Sequence, residues 1–316
     1  MVWSRRLGVM AGLLALLPAC APVAPDGPAV QAPPGPAIKV VTTFVPVTLL
    51  TRAVAGPCAQ VVALIPPQIS PHDFQSRPAD LVALRQARVL VKNGLGMEAS
   101  LDKLVAAAGN SRLRTIDSSQ GQTLLTSAGH DDHTGTGHDH GRVNPHLWLD
   151  PQRAMQQVRT IRDGLIAADP GCAQGYRQRA KTYLSQLDRL DRDLARQLKP
   201  YRGKTFVAYH DVTPYFAQRY GLGSVTLVEA PAQRPSPADM MRVVQAVQRT
   251  DLKALLSEPQ QGPRSFNALA RDLGLRVGVF DPLETATPKQ AQDPETYIQV
   301  MRRNGDALVA AFGPIR

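Results

Sequence analysis

The chain has 316 residues, a length that suggests about two domains, and 43% of them are hydrophobic, enough for ordinary globular cores. The formal net charge is +10, but the basic residues are scattered among acids without a block of five or six, and only 5% of residues are aromatic. That combination argues against a nucleic-acid groove.

Residues 1–20 read as a signal peptide. Arg5 and Arg6 supply a positive start, and Leu7 to Leu17 is an apolar run too short to span a bilayer as a helix. Leu17-Pro18-Ala19-Cys20 resembles a lipobox, in which Cys20 is acylated and becomes the mature N-terminus. Residues 21–37 are rich in Pro, Ala and Gly and form a flexible tether, because they cannot bury enough surface to fold. The expected location is the periplasm or the outer face of the cytoplasmic membrane, with the membrane touched only through the lipid anchor. Cys58 and Cys172 are then the two cysteines left, and an even count in an exported chain predicts a disulfide between them.

The mature chain, from residue 38, opens on a β-branched run at Ile38–Thr43, with a second strand at Val61–Ile65. A loop carrying Ser70-Pro71-His72-Asp73 follows, and Pro78-Ala79-Asp80 opens a helix. Val89–Lys92 is a strand that runs through Asn93-Gly94-Leu95-Gly96 into another helix. No third glycine stands at the offset of a dinucleotide-binding loop. Gln174 to Leu198 then places apolar residues at 180, 183, 184, 187, 190, 194 and 198, which is helical periodicity over about seven turns.

The second half repeats the plan. Thr205–Tyr209 is a strand with His210 directly after it, and Val225–Val228 is the next. Pro237-Ala238-Asp239 opens a helix at a point matching 78–80. Leu252–Ser257, a helix near 265–273 and the strand Arg276–Phe280 follow, with Asp281 at the last strand's end. The fold class is α/β: two (β/α) lobes related by a pseudo-repeat and joined by one long rigid helix. The expected divisions are an N-terminal lobe at 38–172, a linking helix at 173–200 and a C-terminal lobe at 201–316.

Five of the seven histidines fall between positions 130 and 146. His72, His146, His210 and Asp281 differ from the rest in sitting at junctions between elements, most of them at or just beyond a strand. In open α/β sheets ligands bind outside the carboxyl ends of strands. Two lobes facing one another bring these four together in the interlobe cleft, and three imidazoles with one carboxylate make a closed shell fit for Zn²⁺. For any one of them taken alone, a hydrogen-bonded polar residue at a strand end remains the plainer alternative. His130, His133, His138 and His140 lie in an Asp-, Gly- and Thr-rich stretch, 130–141, without apolar periodicity, and are expected to form a loop.

Four ordered motifs carry a resemblance to a known family. They are Ser70-Pro71-His72-Asp73-Phe74 with Asn93-Gly94-Leu95-Gly96-Met97-Glu98; Asn144-Pro145-His146-Leu147-Trp148-Leu149-Asp150-Pro151; Tyr209-His210-Asp211 with Arg219-Tyr220-Gly221-Leu222; and Phe280-Asp281-Pro282-Leu283. They resemble the signatures of the metal-specific ABC-transporter solute-binding proteins, the ZnuA-like group, over about residues 38–316. The resemblance implies that His72, His146, His210 and Asp281 are the metal ligands. It implies a monomer that is not an enzyme and that delivers metal to a membrane ABC permease with its cytoplasmic ATPase. A periplasmic metallochaperone is a further candidate partner.

A histidine at position 210, where manganese binders of this group carry a carboxylate, points to zinc, because borderline imidazole donors suit Zn²⁺ and oxygen-rich shells suit Mn²⁺. A manganese- or iron-binding member of the group is the alternative. Glu258 and Asp211 are candidates to accept a ligand's second imidazole N–H. The histidine loop is expected to collect zinc weakly and pass it to the cleft, or else simply to solubilise. A zinc hydrolase and an adhesin on the same scaffold are the rivals; against the first, no HExxH helix is present.

Overall fold

A computed structural model describes residues 35–125, 143–231, 233–250, 252–260 and 264–314, together with Met1 and Trp3. Cys20 and the histidines at 130, 133, 138 and 140 lie outside the described residues. Pro33–Arg316 forms one compact unit.

The first sheet contains β1 (Ile38–Thr42), β2 (Ala59–Ala63), β3 (Val89–Lys92) and β4 (Arg114–Asp117), in the order β2-β1-β3-β4. The second contains β5 (Thr205–Ala208), β6 (Gly223–Thr226), β7 (Ala254–Ser257) and β8 (Arg276–Val279), in the order β6-β5-β7-β8. Every pairing is parallel, and the two orders are the same winding. Val40 and Val91 are fully buried, as are Phe206, Val207, Leu255 and Leu256, which is why the inner strands β1, β3, β5 and β7 carry apolar runs, whereas the edge strand β2 alternates buried and exposed residues.

Parallel strands require helical crossovers. Here these include α1 (Val45–Ala55), α2 (Pro78–Gln86) and α3 (Ala99–Ala108) in the first lobe. After α4 (Pro151–Ala168) and α5 (Ala173–Leu198) come α6 (Pro214–Tyr220), α7 (Pro237–Arg249), α8 (Arg264–Asp272) and α9 (Glu295–Phe312). The matching helix starts at 78 and 237 are built alike. Asp80 accepts the Arg77 backbone N–H at 2.7 Å, and Asp239 accepts that of Ser236 at 2.8 Å.

The 26 residues of α5 span about 39 Å. Its buried side chains, Tyr176, Ala180, Tyr183, Leu187, Leu190, Asp191, Leu194 and Leu198, recur mostly every three or four positions, so one stripe of the helix packs against α4, α9 and α1. A disulfide joins Cys58, in the 3-10 turn Gly56–Cys58 between α1 and β2, to Cys172, in the turn Pro170–Cys172 that leads into α5. It fastens the foot of the long helix to the first lobe.

Candidate metal centre

Each lobe offers its strand ends to the cleft. His72 lies in a single turn of 3-10 helix, Pro71–Asp73, where Ser70 Oγ accepts the His72 backbone N–H at 3.3 Å. His146 opens a second such turn, Leu147–Leu149, whose three residues are fully buried. His210 follows β5 two residues on, with 0% exposure.

The Nε2 atoms of these three histidines converge on one oxygen. Glu284 Oε1 lies 3.2 Å from His72, 3.3 Å from His146 and 3.5 Å from His210. The four donor atoms all fall within 4.8 Å of one another. His146 Nε2, His210 Nε2 and Glu284 Oε2 are buried without a hydrogen-bond partner among the described residues. Buried polar atoms are ordinarily bonded, so a cluster of orphaned donor atoms aimed at one point is the chemistry of a cation site.

The fourth member is therefore Glu284, and Asp281 does not stand in the group. The reason is local. Asp281 Oδ1 accepts the Leu283 backbone N–H at 2.8 Å, while Asn304 bonds both the N–H and the C=O of Asp281 at 2.8 Å. The Asp281 carboxylate shapes a tight turn, in which Leu283 takes φ 61°, unusual for a non-glycine residue. That turn aims Glu284 inward, 0% exposed. The signal was present in Asp281-Pro282-Leu283-Glu284: an Asp before Pro reads as a turn former, which leaves the second acid free to act as a donor.

The supporting shell fixes the imidazoles. Asn144 Nδ2 donates to the Asp211 carbonyl and carboxylate at 2.8 and 3.1 Å, so its Oδ1 must accept, and it does so from His146 Nδ1 at 2.9 Å. This sets the tautomer that turns the His146 Nε2 lone pair to the centre. Glu258 accepts His210 Nδ1–H at 2.5 Å and the His210 backbone N–H at 3.1 Å, and its other oxygen takes Gln260 at 2.7 Å. Glu258 and Asp211 thus both stand behind ligand candidates, Glu258 directly and Asp211 through Asn144, which sequence reasoning passed over.

Electrostatics separates the histidines. Burial pushes the His146 imidazole down to about 4, with Glu284 opposing. Burial acts on His210 in the same direction, but Glu258 and Glu284 outweigh it and raise His210 to about 10. Burial likewise resists ionisation of Glu284, and the facing imidazoles overcome it, holding the carboxyl well below its ordinary range.

The Asn93-Gly94-Leu95-Gly96 turn supports the same loop. Asn93 Nδ2 donates to Pro145 O at 3.0 Å, beside His146. Glu98 in turn holds the Asn93 and Gly94 backbone N–H groups at 2.6 and 3.0 Å. Gly94 has φ 88°, and a Cβ there would stand 2.2 Å from Asp117 Oδ1, so the glycine is required by backbone and space alike.

The fold and the cluster define a bilobed protein with a metal-competent site between its lobes. Residues 40–311 match the family model described as ZnuA, zinc-uptake complex component A, periplasmic. The chain is 31% identical over 276 residues to the zinc-binding lipoprotein AdcA of Streptococcus pneumoniae serotype 4, a match covering 86% of this chain and 55% of that protein. It is 28% identical over 311 residues to the high-affinity zinc uptake system protein ZnuA of Bacillus subtilis, covering 97% of this chain and 96% of the other. Among solved structures, the Zn(II)-bound ZnuA-like domain of S. pneumoniae AdcA superposes with a TM-score of 0.74 at 29% identity, over 87% of this chain and 99% of that one. A zinc-bound ZnuA deletion mutant superposes with a TM-score of 0.76 at 26% identity, over 89% of this chain and 100% of that one. The chain belongs to the ZnuA family. It spans about half the length of the streptococcal relatives, 55% in the case of AdcA.

Proposed function

We propose that this protein captures zinc with high affinity outside the cytoplasmic membrane and hands it to an ABC permease for import. The observation that carries the reading is the convergence of three imidazole Nε2 atoms on Glu284 Oε1, inside a set of donor atoms no more than 4.8 Å apart. His72, His146, His210 and Glu284 are the proposed ligands. Three nitrogens and one oxygen suit Zn²⁺ better than Mn²⁺. Four protein donors fill a tetrahedral shell and leave no coordination position for a substrate, which favours cargo binding over hydrolysis. The names of the AdcA and ZnuA relatives point the same way.

Cys20 is the proposed lipid anchor, and no helix among the described residues is long and apolar enough to cross a membrane. His130, His133, His138 and His140 are proposed to collect zinc for the cleft, acting before the permease or a metallochaperone. Metal analysis of the purified protein with competitive zinc titration tests the central reading. One tightly held zinc per chain, lost in His210→Ala, is expected. A protein that binds manganese in preference, or no divalent cation, overturns it.

A further inference from the structure

A second buried polar cluster lies outside the donor set, centred on Asp191 of α5. It interrupts the apolar stripe of the long helix with a carboxylate that is 3% exposed. Its two oxygens take four donors. Gln152 Nε2 binds Oδ2 at 2.8 Å, Arg219 Nε binds Oδ1 at 2.8 Å, Arg219 Nη2 binds Oδ2, and Tyr220 OH binds Oδ1 at 3.2 Å. Asp150, which caps the start of α4 by accepting the Gln152 N–H at 2.9 Å, lies 3.9 Å from Arg219 and completes the cluster.

The donors come from both lobes. Gln152 is in the first turn of α4, which the chain enters from His146 through one turn of 3-10 helix. Arg219 and Tyr220 end α6, which starts four residues beyond His210. One carboxylate on the long helix therefore fastens the two helices that lead away from the second and third histidines.

Packing alone is a poor explanation for it. A buried ion pair is often no more stabilising than an apolar replacement of equal volume. What it supplies is geometry: the Arg fork on a carboxylate is planar, bidentate and fixed in register, where apolar side chains slide. Zinc–nitrogen bonds of about 2.0–2.1 Å tolerate errors of only about 0.2 Å, so donors carried by different lobes need such a constraint.

We propose that Asp191, through Arg219 and Gln152, is a positioning residue that sets the spacing of His146 and His210 and so tunes the site to small tetrahedral cations. This rests on the ligand assignment above. The test uses Co²⁺ as a spectroscopic probe on the full mature chain, with zinc dissociation measured by stopped-flow chelation. Asp191→Asn removes the charge and keeps the shape; Arg219→Lys keeps the charge and removes the fork; Gln152→Ala removes the single bond to α4 and is the milder variant should the other two not fold.

In the wild type, an intense tetrahedral cobalt band that vanishes in His210→Ala is the precondition, and its failure would sink the ligand assignment instead. Given it, Asp191→Asn and Arg219→Lys should weaken and shift the band, speed zinc release about 10-fold or more, and narrow the preference for zinc over manganese. Variants that melt earlier but keep the wild-type cobalt spectrum, release rate and metal preference would show the cluster to be structural only, and overturn the proposal. Should Asp191→Asn and Arg219→Lys fail to fold, Gln152→Ala cuts the link to α4 alone, and an unchanged release rate in it overturns the proposal while an accelerated one supports it.

Discussion

Glu284 and Asp281 are three residues apart and do different things with the same functional group. Glu284 offers Oε1 to three imidazoles, while Asp281 bonds its own loop at Leu283. Replacing Glu284 with Ala should therefore weaken zinc binding by more than about 100-fold. Asp281→Asn should cost about 10-fold or less, the range of a supporting partner, with little change in thermal midpoint, because the amide oxygen still accepts the Leu283 N–H. Competitive titration of both variants decides it; equal losses would put both carboxylates on the metal. The His210 proton sets the pH response of the site. With Glu258 and Glu284 holding His210 at about 10, the metal-free imidazole is protonated at neutral pH, and zinc must displace that proton. His146, at about 4, has no proton to lose above about pH 5. Between about pH 5 and 9 apparent affinity should rise at least tenfold per pH unit. Calorimetry in buffers of different ionisation enthalpy should show at least one proton released per zinc, fewer in Glu258→Gln. An affinity independent of pH over that window would contradict the charge assignment of His210.

At the scale of elements, α5 depends on close approaches. Gly305 of α9 lies against it: a Cβ there would stand 2.6 Å from Leu194 Cδ2 and 2.7 Å from Gln197 Oε1. Gly305→Ala should destabilise the protein by about 1–3 kcal/mol through overpacking, although alanine is the better helix former. Denaturant unfolding measures the balance, and a stabilised variant would mean that the two helices move apart easily. The Cys58–Cys172 bond closes a segment with a sequence separation of 114. Chain-entropy arguments assign a loop of that size about 4–5 kcal/mol, so the double alanine variant should show a clearly lower urea midpoint while still binding zinc, since neither cysteine is in the donor set.

At the scale of the whole molecule, the lobes are already tied across the cleft. Trp148 Nε1 donates to Pro282 O at 2.8 Å, Tyr297 OH to Trp148 O at 2.5 Å, and the Ala286 N–H to Pro67 O at 2.6 Å. With α5 as a stiff connector, zinc release should come from rearrangement of the His72 and Glu284 loops more than from wide opening. Solution scattering should show no resolvable compaction on zinc binding. Hydrogen exchange should slow mainly at residues 66–74 and 281–288. A large change in radius of gyration would count against a rigid connection.

The plan of this protein is written in local signals. The β-branched runs, the paired Pro-Ala-Asp helix starts and the period of the long helix are local signals, and local backbone preference and burial are enough to write two like lobes and a strut. His72, His146 and His210 were legible as candidate ligands because each sits at an element junction, and the structure brings their Nε2 atoms toward one carboxylate oxygen. The helices α1, α4, α6 and α9 and the strand β4 were not anticipated; in α4 and α9 polar residues interleave the buried ones, so apolar pattern marks them weakly. Which acid joins the three histidines was not legible, since Asp281 and Glu284 differ only in which way a turn points them, and that turn is held by Asn304, distant in sequence. Nor was it legible that Asp191, one more acid on a helix rich in them, is buried under Arg219, because that pairing exists only when helices from both lobes meet on α5.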